Sequence, residues 1–186
     1  ILYSNHPTGI SLLDVVDKTI SPMGTRLMKN WLILPLLDLK EISYRQDLVE
    51  FLMAESSIYN EFTNEINQIG DLERLISKVA LKRINPKELQ QLSSAIKSVH
   101  HIKEIAAQTK NESLNKFSEQ LTNCHDLCEL IDNQIAEDAP VLASKGGVFK
   151  LGVDEELDGY ISISKNSKDY LLGLKTREAE RTGIPS

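Results

Sequence analysis

The stretch with the strongest helical periodicity in this sequence is residues 71–105, DLERLISKVALKRINPKELQQLSSAIKSVHHIKEI. In its first half, apolar residues recur at i, i+3, i+4, i+7, i+8 and i+12: Leu72, Leu75, Ile76, Val79, Ala80 and Ile84. This spacing predicts a helix over 71–84 that buries one broad face. Asn85, Pro86 and Glu88 then provide the N-cap, the first-turn proline and the N3 acid of a second helix, which continues to residue 105.

The remainder of the chain is divided into helices by residues that start or stop them. Ser21 and Pro22 predict the start of a helix that ends before Pro35. Asp38 with Glu41 forms a predicted capping box. The other predicted helices cover 11–17, 38–53, 58–69, 112–121 and 124–137, and a short extended piece covers 148–151. Hydrophobic residues make up 41% and aromatic residues only 5%, which favours packed helices over a β-sandwich. The sequence therefore predicts an all-α, multi-helix core domain.

The C-terminal stretch over 154–185 predicts one long helix that Gly183 and Pro185 end. Its small and apolar residues share one face: Leu157, Tyr160, Ser164, Ser167, Leu171 and Leu174. We expect this face to dock on the helices over 71–84 and 89–105. The largely charged residues 175–181 are expected to project into solvent, as in a lever. An ordinary surface helix with a charged end fits the same pattern.

Charged residues interrupt the predicted buried segment at its start, where Asp71, Glu73 and Arg74 stand. One interpretation is a first-turn acid followed by an exposed charged pair. The other is that Glu73 or Arg74 pairs with an arginine of another helix, since Arg26 and Arg45 stand beside apolar stripes. We favour the second interpretation, in which these five residues have a structural role and no chemistry.

The net charge of −6 argues against a broad nucleic-acid-binding face, because neutralising phosphates requires clustered Lys and Arg. Basic residues do concentrate toward the end of the predicted C-terminal helix. We expect contact with a DNA backbone to be weak at best, through Lys175, Arg177 and Arg181.

The compartment is predicted to be the cytoplasm. No window approaches about 18 uninterrupted apolar residues, and the N-terminus lacks the features of a signal peptide. Cys124 and Cys128 lie one helical turn apart, which provides no disulfide framework. The first residue is not methionine, which suggests a piece of a longer chain.

No constellation typical of an active site is present in the sequence, so no catalytic residue is predicted. The segment GLKT at 173–176 lacks the glycine spacing of a phosphate-binding loop. Cys124, His125 and Cys128 stand close together, but structural zinc sites usually combine two close ligand pairs. We therefore expect no metal and no cofactor in this chain, and we expect Cys128 to be a small buried apolar residue.

Blocks of the sequence resemble, in order and over nearly the whole chain, the core domain of the bacterial DNA mismatch repair MutS family. The blocks are SLLD at 11–14, DKTISPMGTRL at 17–27, WL at 31–32, PL at 35–36, Ile42, Arg45, Val49, IGDLERL at 69–75, LKRINP at 81–86, KGGV at 145–148, DEELD at 154–158 and EAERTGIP at 178–185. Gly159 departs from the larger residue of the family pattern, and 105–135 are only loosely similar.

The resemblance implies that the chain is part of a dimeric ATPase that recognises mismatched or looped DNA, uses ATP and Mg²⁺, and has a MutL-type repair partner. In this family, the core domain links the ATPase to a DNA clamp through lever helices. The expected organisation is an extended segment over 1–9, a helical core domain over 10–153, and a lever helix with the start of the clamp over 154–186. The mismatch-reading and nucleotide-binding motifs belong to other parts of such a protein, so this chain by itself is not expected to be an enzyme.

Two other functions stay open. One alternative is the same domain of a MutS paralogue that acts on branched DNA. From a different class, it fits an autonomous helical protein-interaction domain, which an apolar groove and a stable partner would favour.

Overall fold

The structure, a computed structural model, describes residues 2, 6 and 8–183. In that part of the chain every regular element is a helix, apart from one isolated antiparallel bridge. The helices are α1 (Leu12–Val16), α2 (Pro22–Ile33), α3 (Leu39–Ala54), α4 (Ser56–Ile69), α5 (Leu72–Ala80), α6 (Pro86–Gln108), α7 (Glu112–Gln120), α8 (His125–Gln134), a short 3-10 turn (Ala143–Lys145), α9 (Glu155–Lys165) and α10 (Ser167–Thr182). The predicted all-α fold is confirmed. Over the described residues, none of these helices combines the length and the apolar character needed to cross a membrane.

Helix α6 is the centre of the fold, because α4, α5, α7 and α8 all pack against it. Its start is fixed as predicted. The backbone N–H of Glu88 donates to Asn85 Oδ1 at 2.9 Å, and the backbone N–H of Asn85 donates to Glu88 Oε2 at 3.1 Å. The buried residues of the main core are Phe62 and Ile69 from α4, Ala95, Ile102 and Ala106 from α6, and Leu114 from α7. Two of these residues are fully enclosed alanines, so the neighbouring helices approach α6 closely over small side chains.

A second, smaller core lies where α8 ends. Ile131, Ile135 and Ala139 are buried there, and Val148 packs against them. Residues Ile135 and Phe149 form the antiparallel bridge, and the backbone N–H of Ala136 donates to the carbonyl of Val148 at 2.9 Å. The predicted extended piece is therefore present. Helix α8 ends at 134 and not at the predicted 137, because residues 135 and 136 pair with this piece.

Helix α5 ends at Ala80, four residues before the predicted end. Lys82 has a φ of +54°, and the backbone N–H of Arg83 donates to the carbonyl of Lys78 at 2.8 Å, a pairing that terminates helices. The main packing partner of α5 is α6. Ile76 and Val79 are 53% and 43% exposed, so the predicted broad buried face is wrong for the second half of the helix.

The predicted long C-terminal helix is two helices, α9 and α10, which we call the C-terminal arm. They meet at Asn166, whose φ of −106° and ψ of 32° depart from helical values. Every residue from 162 to 178 is exposed, and Tyr160 and Leu171 are 62% and 61% exposed. The predicted docking of the apolar face on the core is therefore wrong. Helical spacing determines which side chains share a face, but it does not place another helix opposite that face.

The ends of the chain test only part of the predicted organisation. Gly183 adopts a left-handed conformation with φ of 69°, and its N–H donates to the carbonyl of Ala179 at 2.9 Å, so the predicted helix end is confirmed. Pro185 and the expected start of a clamp lie outside the described residues. The same holds for residues 1, 3–5 and 7 of the predicted extended segment.

Candidate functional site: the Arg26 junction and the C-terminal arm

Three charged side chains join α2 to the start of α5, and we call this group the Arg26 junction. Arg26 Nη2 lies 2.7 Å from Asp71 Oδ1, and Arg26 Nη1 lies 3.2 Å from Asp71 Oδ2. Arg26 Nε donates to Glu73 Oε2 at 2.7 Å. One guanidinium therefore holds two carboxylates with its planar fork, a geometry that lysine does not reproduce. The predicted pairing of Glu73 with Arg26 is present.

The junction also shapes the local electrostatics. Hydrogen bonds from the Arg26 guanidinium lower the pKa of Asp71, and the hydrogen bonds to Asp71 and then Glu73 raise the pKa of Arg26. Asp71 has a second task, because its Oδ1 accepts from the backbone N–H of Arg74 at 3.2 Å and caps α5. All three side chains are partly in solvent, so the junction links α2 to the start of α5 but contributes little energy.

The other two residues of the predicted structural motif lie elsewhere. The Arg45 guanidinium of α3 stacks over the Trp31 ring of α2, 3.7 Å from the ring centroid. This contact links α2 to α3 as the Arg26 junction links α2 to α5. Arg74 lines a cleft beside α6. The pairing of Glu73 with Arg45, which the sequence left open, does not form in the structure.

The structure does not assemble the predicted DNA-contacting residues into one patch. Arg181 Nε donates to Glu178 Oε2 at 2.8 Å, so an acid of the same helix offsets its charge. Arg177 and Arg181 are four residues apart and share a face, whereas Lys175 lies two residues from Arg177 on nearly the opposite side. All three residues are exposed. Contact with a DNA backbone through them stays a prediction.

Comparison with known proteins assigns the family. A family model described as MutS domain III matches residues 2–181. The chain belongs to the MutS domain III family. The resemblance found in the sequence is thereby confirmed.

The relatives of this MutS domain III are much longer proteins. The chain is 46% identical over 186 residues to the DNA mismatch repair protein MutS of Bacteroides fragilis. It is 45% identical over 178 residues to that of Parabacteroides distasonis and 44% identical over 186 residues to that of Christiangramia forsetii. These alignments cover 100%, 96% and 100% of the chain, but 22%, 20% and 21% of the relatives. The chain thus spans about one-fifth of the length of the curated relatives that it matches.

A polar seam between α6 and α8 of this domain III was missed from the sequence. Ser93 Oγ donates to Asp132 Oδ1 at 2.8 Å, and Lys97 Nζ lies 2.5 Å from Asp132 Oδ2. Burial opposes ionisation of Asp132, but the hydrogen bonds from Lys97 and Ser93 outweigh it and lower the pKa of this carboxyl. The Cys128 thiol donates to the Ser93 carbonyl at 3.7 Å. The one signal in the sequence is the pair Ser93 and Lys97, four residues apart on one helical face.

The cysteines and histidines considered as metal ligands are dispersed. Cys128 is buried, as predicted, and burial raises the pKa of its thiol, whereas Cys124 is exposed. His125 Nε2 lies 3.0 Å from Glu129 Oε1 on the same helix, and His101 Nδ1 lies 3.5 Å from Glu65 Oε2 of α4. Among the described residues, no three His, Cys, Asp or Glu side chains come together as a metal site would require.

Proposed function

We propose that this chain is the helical core and lever module of a DNA mismatch-recognition ATPase, and that it couples the nucleotide-binding and DNA-binding parts of that protein mechanically. Membership of the MutS domain III family supports the proposal, as do the relatives named as DNA mismatch repair proteins. The observation that carries it is the C-terminal arm, which stays exposed from 162 to 178 while the segment that leads into it is tied to the second core. In that segment Val148 packs against the core, and the backbone N–H of Lys150 donates to the carbonyl of Gln134 at 2.8 Å.

The arm has the dimensions and the mechanics of a lever. Helices α9 and α10 contain 11 and 16 residues, which correspond to about 16 Å and about 24 Å of helix. The start of the arm is locally ordered, because Asp154 caps α9 and the backbone N–H of Gly152 donates to Asp158 Oδ2 at 2.7 Å. A displacement at this base is carried along α9 and α10, and the non-helical residue Asn166 is the point at which bending is easiest.

The remaining features of the proposal concern the parent protein. It binds ATP and Mg²⁺, hydrolyses ATP in a DNA-dependent way, recognises mismatched duplex DNA as a homodimer and acts with a MutL-type partner in the cytoplasm. The chain itself supplies packing and leverage and is not an enzyme. The acidic net charge of −6 supports a role in which other segments grip the DNA.

The test is to soften the arm in the full-length parent. Inserting two glycines after Lys175 breaks the rigidity of α10, whereas inserting two alanines at the same place changes length and register equally but preserves the helix. We expect basal ATP hydrolysis to be retained in both variants. Stimulation of hydrolysis by mismatched DNA should be weaker in the glycine variant than in the alanine variant. Equal stimulation in the two variants would leave the arm as a scaffold only and would reject the lever.

A protein-interaction domain is the second candidate, because α2 and α3 expose apolar side chains. These side chains are Leu27, Trp31, Val49 and Met53, and Leu34, directly after α2, is exposed as well. Amide hydrogen exchange, measured in the full-length parent and in this chain alone, distinguishes the lever function from the protein-interaction function. Protection of α2 and α3 in the parent alone makes the apolar surface an internal interface of the parent. Equal exchange in both leaves the surface free for another protein.

A further inference from the structure

A polar cleft of about 520 Å³ opens between the end of α4, the side of α5 and the first turns of α6. Five of its lining residues are charged: Asp71, Arg74, Lys78, Lys87 and Glu88. We call it the Arg74 cleft. Its volume lies in the range of sites that hold small molecules or a few residues of a peptide.

The two carboxylates of the Arg74 cleft are already engaged. Asp71 is held by Arg26, as described above. Glu88 pairs with Lys78 and also accepts from the backbone N–H of Asn85 at 3.1 Å. The hydrogen bonds from Lys78 and then Asn85 lower the pKa of Glu88, and Arg74 adds to the same effect through its charge. Both acids of the cleft thus have ion-pair partners within the fold, Arg26 for Asp71 and Lys78 for Glu88.

The cations of the cleft exceed these acids. Among the described residues, no carboxylate lies within ion-pair distance of the side chains of Arg74 or Lys87. Both residues are exposed and line the same opening. The lining thus carries three cations against two acids, and two of the cations form no ion pair with a described residue. In a chain with a net charge of −6, this makes the cleft a local positive site.

The neutral lining of the cleft resembles a peptide-binding surface. Half-buried Leu75 provides apolar wall, and Gln68 and Gln91 provide side-chain amides that both donate and accept. The apolar wall and the amides suit a peptide whose side chains alternate between carboxylate and apolar. A bare phosphate has no side chain to place against the apolar wall.

We propose that the Arg74 cleft binds an acidic peptide segment of another polypeptide, with carboxylates placed on the Arg74 guanidinium and the Lys87 ammonium. The planar guanidinium accepts a carboxylate in a two-point contact, and the lysine supplies a second charge. An apolar side chain of the segment lies against Leu75. This inference concerns a partner of the folded core and does not depend on the lever function.

The test uses fluorescence anisotropy with a labelled peptide of alternating Glu and Leu, and with a Gln and Leu peptide of equal length as the uncharged comparison. We expect saturable binding of the Glu peptide, weakened when ionic strength is raised. Arg74→Gln and Lys87→Gln should each weaken binding at least about tenfold, as loss of a charge-assisted contact does. The matched control is Lys168→Gln on the arm, which changes net charge equally and should leave binding unchanged.

Amide chemical shifts locate the peptide independently. The shifts of Gly70 and Gln91 should move with the Glu peptide, while that of Gly173 on the arm stays constant. Lys87→Gln alters an exposed side chain of α6, so it decides the matter even if Arg74→Gln unfolds the domain. The proposal is overturned if no binding is seen up to about 1 mM, a concentration that corresponds to about −4 kcal/mol. Equal binding of the Gln peptide overturns it as well, and so does displacement of the Glu peptide by duplex DNA.

Discussion

Helix α6 and the C-terminal arm carry the same kind of apolar spacing and have opposite fates. In α6, Leu92, Ala95, Ile102 and Ala106 are buried under four neighbouring helices. In the arm, every residue from 162 to 178 is exposed. The comparison teaches that a 3-4 repeat identifies a helix and one of its faces, whereas burial depends on which other elements reach that face.

The two regions also differ in how their ends are held. The start of α6 has a reciprocal capping box, a first-turn proline and the ion pair between Glu88 and Lys78. The junction of α9 and α10 has Asn166 alone, with no side-chain cap for α10. We therefore expect the core to unfold as one unit and the arm to open locally without unfolding the core.

The largest effect is expected from a cavity in the core. Ile102→Ala removes buried methylene groups from α6 and should lower the free energy of unfolding by about 2–5 kcal/mol. The matched variant Leu171→Ala removes a similar side chain from the arm and should change it by less than about 0.5 kcal/mol. Urea unfolding followed by circular dichroism measures both. Similar losses in the two variants would contradict the contrast between core and arm.

Removing a helix cap should have a smaller effect than the core cavity, and the effect should be global for α6 but local for α9. Asn85→Ala removes the cap of α6 and should cost about 1 kcal/mol of global stability, because α6 belongs to the cooperative core. Asp154→Ala removes the equivalent cap of α9, whose side chain accepts from the backbone N–H of Leu157 at 2.8 Å. We expect this variant to speed hydrogen exchange within α9 and to leave the global transition in place. A global loss as large as that of Asn85→Ala would show that the arm unfolds with the core.

The ion pair of Arg26 in the core and that of Arg181 in the arm should affect the pH dependence of global unfolding differently. The pKa of Asp71 is lowered in the folded state by Arg26, so this carboxyl adds stability above its unfolded pKa of about 4, and the contribution is lost as pH falls through the lowered pKa. Arg26→Gln should therefore reduce the loss of stability on acidification. Arg181→Gln, which breaks the pair with Glu178 inside α10, should leave the pH dependence of global unfolding unchanged. Unfolding free energies measured at a series of acidic pH values test both variants. If the free energy of unfolding depends on pH identically in wild type and Arg26→Gln, the Arg26 junction does not contribute to acid sensitivity.

The smallest effect is expected at the arm itself. Leu171→Asp would be costly if the apolar face were docked, as the sequence suggested. Because Leu171 is 61% exposed, we expect a change below about 0.5 kcal/mol, similar to that of Ala179→Asp beyond the apolar face. Thermal melts of the two variants provide the comparison. A much larger loss for Leu171→Asp would mean that the arm packs against the core in solution.

Features set by neighbouring residues were predictable from the sequence. The capping box at Asn85, the helix end at Gly183 and the burial of Cys128 are correct, because each depends on local bonding or on side-chain type. The Arg26 junction was found in part, since charges next to an apolar stripe need partners. Its choice of Arg26 over Arg45 depends on how three helices cross.

Features that depend on distant residues were not predictable. Asp132 lies 39 residues beyond Ser93, so the polar seam becomes visible only when α8 is placed on α6. The Arg74 cleft likewise requires three helices in position. The docking of the arm was wrong because the chain as folded places no helix opposite its apolar face over 162–178.

The two cysteines of α8 and its N-terminal flank give the domain a built-in labelling handle. Thiol reagents attack the exposed thiolate, and Cys128 is 3% exposed with a raised pKa. Maleimide chemistry on the unaltered chain therefore modifies Cys124 selectively, at the start of α8. A probe at this position and a second probe introduced on α10 report the distance between core and arm without prior removal of any native thiol.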